Sequence, residues 1–197
     1  PRLTQLVSVD DREGLASLYH KSCQVMAVLV LPAAAVVAFF SHELLLLWTH
    51  NPSMADSSHR LVTILICGTA INGLMNFPYA LQLAHGWTKL SFYANVIAVI
   101  LVAPLIVSMT ARYGPIGAAF VWLALNLGLI LIEIPIMHRR LLRKEQWRWY
   151  AQDVGVPLAV CVLAAGTGRA FMPASLSQTG TVLYLFVVSF VTLGLTA

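Results

Sequence analysis

Three asparagines and one glutamate lie inside stretches otherwise free of charge, and their types and spacing could support chemistry. Gly68, Asn72 and Asn76 fall four apart within the uncharged run from Leu61 to Thr88, so on a helix they share one face. Asn126 lies near the centre of another uncharged run, with Glu133 towards its end. Amides at such depth either bond across to neighbouring helices, for about 0.6 kcal/mol each on average, or line a wet pathway. Both roles stay open for Asn72, Asn76 and Asn126. A carboxylate inside a span is a functional candidate. Glu133, however, stands only a few residues from His138, Arg139 and Arg140, which leaves an interfacial or cation-paired role beside a place on the pathway.

Bond-making chemistry finds no support. The six histidines are scattered among loops and span ends, and neither a nucleophile elbow nor a phosphate-binding loop occurs. His42-Glu43 begins a zinc-protease helix motif, but Leu46 stands where the second histidine belongs. Asp10-Asp11 suits a metal or sugar-nucleotide site. A helix start explains the pair equally, with Asp10 as cap and Glu13 three residues on as its capping-box partner. Cys23, Cys67 and Cys161 each sit in an apolar stretch with no ligand spacing between them and read as small core residues. No catalytic set, metal or cofactor is expected. Without a nucleotide site, energy is expected from an ion gradient, the membrane potential or downstream consumption.

The elements that position these residues are membrane spans. Of 197 residues, 59% are hydrophobic and 10% charged, where a soluble domain carries roughly 25% charged residues. The expected fold is all-α: a polytopic bundle of about six transmembrane helices, each needing about 20 apolar residues. Residues 1–21 hold the end of a preceding helix, a loop and a capped helix start. Residues 22–140 form a four-helix core, with spans Ser22 to His42, from Leu61 onward, Leu90 to Ala111 and Ile116 to Met137. Thr49 to His59 reads as a turn-rich loop. Pro32, Pro78, Pro104 and Pro135 place one proline in each core span, where a kink is the physical consequence. Residues 141–153 read as a basic amphipathic linker, and residues 154–197 as a hairpin that includes a loop from Ala170 to Gly180. The chain opens on Pro1 and stops, still apolar, at Ala197, so a fragment of a longer chain is expected.

Arg139, Arg140, Arg143, Lys144 and Arg148 alternate with Leu141, Leu142, Trp147, Trp149 and Tyr150. This pattern suits a helix lying on an anionic leaflet. Basic-aromatic mixing also suits RNA, but the adjacent spans explain both features, and no nucleic-acid partner is expected. With the first loop in the cytoplasm, that side holds nine of the 12 basic residues, and Arg60, Arg112 and Arg169 hold the other. The positive-inside rule therefore predicts cytoplasmic basic loops.

Several short stretches, in order, carry a resemblance. They are Pro1-Arg2-Leu3 with Asp11-Arg12-Glu13 and Leu18-Tyr19; Leu31-Pro32 and Leu45-Leu46-Leu47-Trp48; Asn76-Phe77-Pro78-Tyr79 with Ala84-His85-Gly86; Tyr113-Gly114-Pro115-Ile116-Gly117-Ala118-Ala119; and Pro135 with His138-Arg139. Up to about Arg140 the chain resembles the second half of the polysaccharide flippases. These are the O-antigen and lipid-linked oligosaccharide translocases of the multidrug/oligosaccharidyl-lipid/polysaccharide exporter superfamily. The resemblance implies most of one lobe of a two-lobe, 12–14-helix fold that alternates access around a central cavity. It also implies a bacterial inner-membrane location and a polyprenyl-diphosphate-linked oligosaccharide as substrate. Its implied partners are membrane lipids, the N-terminal lobe of the same chain, and a polysaccharide polymerase with glycosyltransferases. The last two spans, which match by hydropathy alone, take the position of a helix pair that offers a groove for the polyprenyl tail. Two alternatives stand beside this reading: a cation-coupled drug or metabolite antiporter of the same superfamily, and a membrane glycosyltransferase or ligase, supported only by Asp10-Asp11.

Overall fold

Asp11, not Asp10, starts the first long helix. In the computed structural model, which describes residues 2–173 and 177–196, the Asp11 carboxylate accepts from the Gly14 backbone N–H at 2.9 Å. Asp10 adopts a left-handed φ of 51° and pairs instead with Arg12. With the cap moved by one residue, Glu13 falls at the second helical position and no capping box forms. A metal or sugar-nucleotide role for the Asp10-Asp11 pair loses its motive, since each carboxylate has a local partner.

The described residues are helical throughout, with no strand among them, and six helices are long and apolar enough to cross a membrane. A short α1 (Arg2–Ser8) leads into α2 (Arg12–Phe39) and α3 (Ser41–Thr49). The expected loop from Thr49 to His59 shrinks to His50 and Asn51. Asn51 Oδ1 accepts from the Met54 N–H at 3.2 Å, and Pro52 opens α4 (Pro52–Leu74) from the first turn, where a proline forfeits no helical bond. Then follow α5 (Asn76–Ala84), α6 (Lys89–Tyr113) and α7 (Pro115–Leu141).

The prolines behave differently from one another. Pro32, Pro104 and Pro135 sit inside uninterrupted helices. Only Pro78 is linked to a break, which falls upstream at Met75. A helical proline removes the bond to the carbonyl four residues before it and its ring crowds that carbonyl. For Pro78 that residue is Leu74, where α4 ends.

The basic linker expected at 141–153 is corrected as well. The chain turns over Leu142–Glu145, with Lys144 at a left-handed φ of 75°, and re-enters a helix at once. Here α8 (Gln146–Arg148) passes through a π-helical segment (Trp149–Gly155) into α9 (Val156–Ala170), so that 146–170 is one rod. Pro157 explains the widened turns, because its ring would crowd the Asp153 carbonyl in an α-helix. Gly155 allows them: a Cβ there would lie 2.7 Å from the Tyr150 carbonyl oxygen. Trp149, expected at a membrane surface, is fully buried, whereas Trp147 is exposed. The last helix, α10 (Gln178–Thr196), begins inside the stretch expected to be loop. Pro1, residues 174–176 of that loop and Ala197 lie outside the described residues.

The long helices stand in the order α6, α7, α4, α2 and the 146–170 rod, with α10 against both of the last two. One apolar core joins α2 to the rod at the end of the bundle where α1 and the end of α7 meet. A smaller one, Val36, Phe40, Leu185 and Val188, closes the opposite end. The basic residues gather at the first end: Arg12, Arg140 and Arg143 line one cleft of about 630 Å³ with Asp10, Asp11, Glu13, His85 and Glu145, and Arg140 stacks over Trp87 at 4.4 Å. Arg112 lies at the other end of the α6–α7 pair, a helix length of about 40 Å away for 27 residues.

Candidate functional site

Gly68 makes the α4–α7 contact possible. A Cβ there would lie 2.6 Å from Trp122 Cδ1, so only glycine lets the two backbones come this close, as small residues do between membrane helices. One turn further along α4, Asn72 Nδ2 donates to Asn126 Oδ1 at 2.9 Å. Asn126 is fully buried and donates in turn to the Trp122 carbonyl at 2.7 Å. Asn72 is exposed on its far side. Asn76 does not join this bridge. Its Nδ2 donates to the Gly73 carbonyl at 2.7 Å, at the break before Pro78, and the residue is otherwise exposed. The face shared by the three residues is thus sealed at Gly68 and open at Asn72 and Asn76.

Glu133 neither reaches the interface nor pairs with the neighbouring cations. It is buried, and its Oε1 accepts from Gln82 Nε2 at 2.7 Å. Ser91 Oγ lies 2.6 Å from the same oxygen and 2.9 Å from Gln82 Oε1, and its single proton serves one of them at a time. The cause is reach. Gln82 and Ser91 arrive from α5 and α6 at the level of Glu133, whereas Arg140 lies two turns on and stacks on Trp87. Neither Gln82 nor Ser91 is a sequence-level candidate, because a lone uncharged polar residue near a helix end carries no pattern.

A second polar cluster was not among the sequence candidates. His20, fully buried in α2, presents Nδ1 to Asp153 Oδ2 and Nε2 to Glu145 Oε2, the latter at 3.0 Å. Gln24 Nε2 donates to the other Asp153 oxygen at 2.9 Å. Arg148 stands 3.8 Å from the Glu145 oxygen that faces His20. Beside them, His138 uses Nδ1 on the Ile134 carbonyl at 3.0 Å. His138 Nε2, the Tyr19 hydroxyl and the Trp149 indole N–H are buried without a partner among the described residues. One signal was present in the sequence: His20 and Gln24 are four apart on one helix face, and Asp153 is the one acid within the 149–170 stretch. What was missing is which helices are neighbours.

At the other end Glu43 pairs with Arg169 and so ties α3 to the end of α9. The five basic candidates, Arg139, Arg140, Arg143, Lys144 and Arg148, are all exposed. They sit at the end of α7, in the turn and at the start of the rod, rather than along one surface helix. No group of three histidine, cysteine or acidic side chains able to hold a metal occurs among the described residues. The three cysteines are free thiols, two of them buried. The arrangement therefore offers hydrogen-bonding and proton-carrying groups between helices.

A bundle of six membrane-length helices with polar residues at its inner contacts agrees with what comparison with known families finds. Residues 1–108 match the MatE family model. No curated protein and no solved structure gave a match. With more than half of its 197 residues inside that model, the chain is a multi-pass membrane protein of the MatE family, in the multidrug/oligosaccharidyl-lipid/polysaccharide exporter superfamily, whose members are transporters.

Proposed function

We propose that this transporter moves a polyprenyl-diphosphate-linked oligosaccharide from the cytoplasmic to the periplasmic leaflet of a bacterial inner membrane, for surface polysaccharide synthesis. The observation that carries the reading is the open face of Asn72 and Asn76, beside the half-buried Asn72–Asn126 bridge, in a bundle whose exposed mid-span side chains are mostly apolar. A polar face of this kind would accompany the sugar-diphosphate head through a wet cavity while the tail stays in lipid. Carrying the ionised head through hydrocarbon would instead meet a Born cost of order 20 kcal/mol before relaxation. No bond is made or broken. On this reading the remaining lobe of the transporter supplies the other wall, and a polymerase and glycosyltransferases work before and after it. The basic residues from Arg139 to Arg148 face the anionic cytoplasmic leaflet. The test replaces Asn72 and Asn76 with Leu in the full chain. Loss of surface polysaccharide at normal expression is expected, and an unchanged level removes both residues from the pathway.

One observation favours a second reading, cation-coupled export of a drug or metabolite. Glu133 is buried and hydrogen-bonded away from the cations near it, as a coupling carboxylate requires. If export is the activity, Glu133→Gln abolishes cation-driven efflux of a cationic dye and leaves surface polysaccharide unchanged. The flippase reading predicts the reverse dependence on the asparagines.

A further inference from the structure

We propose that His20, Asp153 and Glu145 form a proton-binding site that holds the 146–170 rod against α2 when occupied and releases it when empty. The inference does not depend on which substrate the transporter carries. It begins with donors and acceptors. Both ring nitrogens of His20 face carboxylate oxygens, Asp153 Oδ2 on one side and Glu145 Oε2 on the other. Ionised carboxylates only accept, and a neutral imidazole has one N–H to give. Both contacts are hydrogen bonds only when the ring carries two protons.

The charge count agrees. Asp153 and Glu145 supply two negative charges, balanced by Arg148 at 3.8 Å from Glu145 and by a doubly protonated His20. Loss of the ring proton leaves an uncompensated negative charge in a site where His20 and Asp153 are fully buried, and turns a nitrogen lone pair towards a carboxylate oxygen. The other groups facing the site do not replace that charge: Arg12, Arg140 and Arg143 line the cleft on the Glu145 side, but among the described residues the cations within ion-pair distance of Glu145 are His20 and Arg148. Gln24, Tyr19 and Cys23 on α2 and Tyr150 on the rod are neutral, and Lys21 points to the exposed side. From α7, His138 offers a lone pair: its Nδ1 donates to the Ile134 carbonyl, so a neutral ring leaves Nε2 bare, buried and unpartnered. The Tyr19 ring stands between the two imidazoles, 5.3 Å from one and 5.7 Å from the other, with its own hydroxyl unpartnered. A second base and two unpartnered donors thus lie beside the site, at the edge of the apolar core. The contacts couple the proton to motion because they join residue 20 to residues 145 and 153, at the entrance to the rod and its π-helical turns. Widened turns of this kind recur at functional sites.

The test is backbone hydrogen–deuterium exchange of the full chain in lipid nanodiscs, followed in peptides covering residues 146–155 and corrected for intrinsic exchange. The range from about pH 5.5 to 8.5 spans the ordinary imidazole titration and lies above that of carboxylates. The site predicts that protection of this segment falls about tenfold as pH rises through that range, while peptides from α6 do not change. His20→Gln, which keeps one donor and one acceptor but cannot take a second proton, flattens the dependence. Glu145→Gln, at a partly exposed position that tolerates change, reduces it without abolishing the fold. Protection that is independent of pH in the unaltered protein overturns the proposal, whatever the variants do. So does an undiminished dependence in His20→Gln.

Discussion

Helices α2 and α6 are nearly alike as sequences and opposite as structures. Each is long and apolar enough to cross a membrane, and each carries a proline within it. Yet α2 buries ten residues and touches α4, the 146–170 rod and α10, whereas α6 buries Ser91 alone and leans on α7. In a bilayer the lipid is as apolar as the helix, so hydropathy decides insertion and leaves neighbours undetermined. Small and polar side chains decide neighbours. Helix α2 turns Cys23, Ala27, Ala34 and Ala35 inward together with His20. Helix α6 shows Phe92, Val96, Val99, Ile100 and Val107 outward.

That contrast can be broken by substitution in the full chain, read as thermal unfolding in detergent. The largest effect is expected at Asp153→Ala, which leaves His20 and Gln24 facing an empty acceptor site. Breaking a buried pair in this way costs about 3–5 kcal/mol, and a loss under about 1 kcal/mol would mean that the α2–rod contact does not rest on charge. Gly68→Val comes next. Its side chain must displace Trp122, and overpacking of this kind costs about 1–3 kcal/mol, with the Asn72–Asn126 bridge pushed apart as well. Ala27→Leu in α2 should fall in the same range of about 1–3 kcal/mol, while Val99→Ala on α6 should stay within about 0.5 kcal/mol. Equal losses at these two positions would erase the distinction between the helices. Among the buried contacts the smallest effect is expected at Asn126→Leu. One interhelical amide bond is worth about 0.6 kcal/mol on average, so a larger loss would mark Asn72 Nδ2, left without its acceptor, as the costly group.

What the sequence revealed divides along the same line. Six spans could be read from apolar length, and Asn72 and Asn126 from being polar where nothing else is. Gly68 could be placed on their face by its spacing alone. Boundaries governed by local chemistry were less legible. The shift of the cap from Asp10 to Asp11, the start of α4 at Pro52 and the rod that begins at Gln146 each turn on one backbone conformation, at Asp10, His50 or Lys144, with a positive φ that no periodicity announces. The His20–Asp153–Glu145 cluster was out of reach for another reason. Its members are up to 133 residues apart, and a single chain's pattern does not say that the first and fifth spans touch. Glu133 lay between these cases: its place inside a span was legible, but its burial and its choice of Gln82 and Ser91 over Arg140 depend on α5 and α6 arriving beside it.

Solvent access is the most direct test of the proposal that the Asn72–Asn76 face meets water while α6 meets acyl chains. In full-length protein with Cys23, Cys67 and Cys161 replaced, cysteines are introduced singly as Asn72→Cys, Asn76→Cys and Val99→Cys. Intact cells are then treated with a membrane-impermeant thiol reagent, and permeabilised cells are treated alongside. The account predicts labelling at 72 and 76 and none at 99. Silence at both asparagine positions under both conditions, or equal labelling on α6, would contradict it.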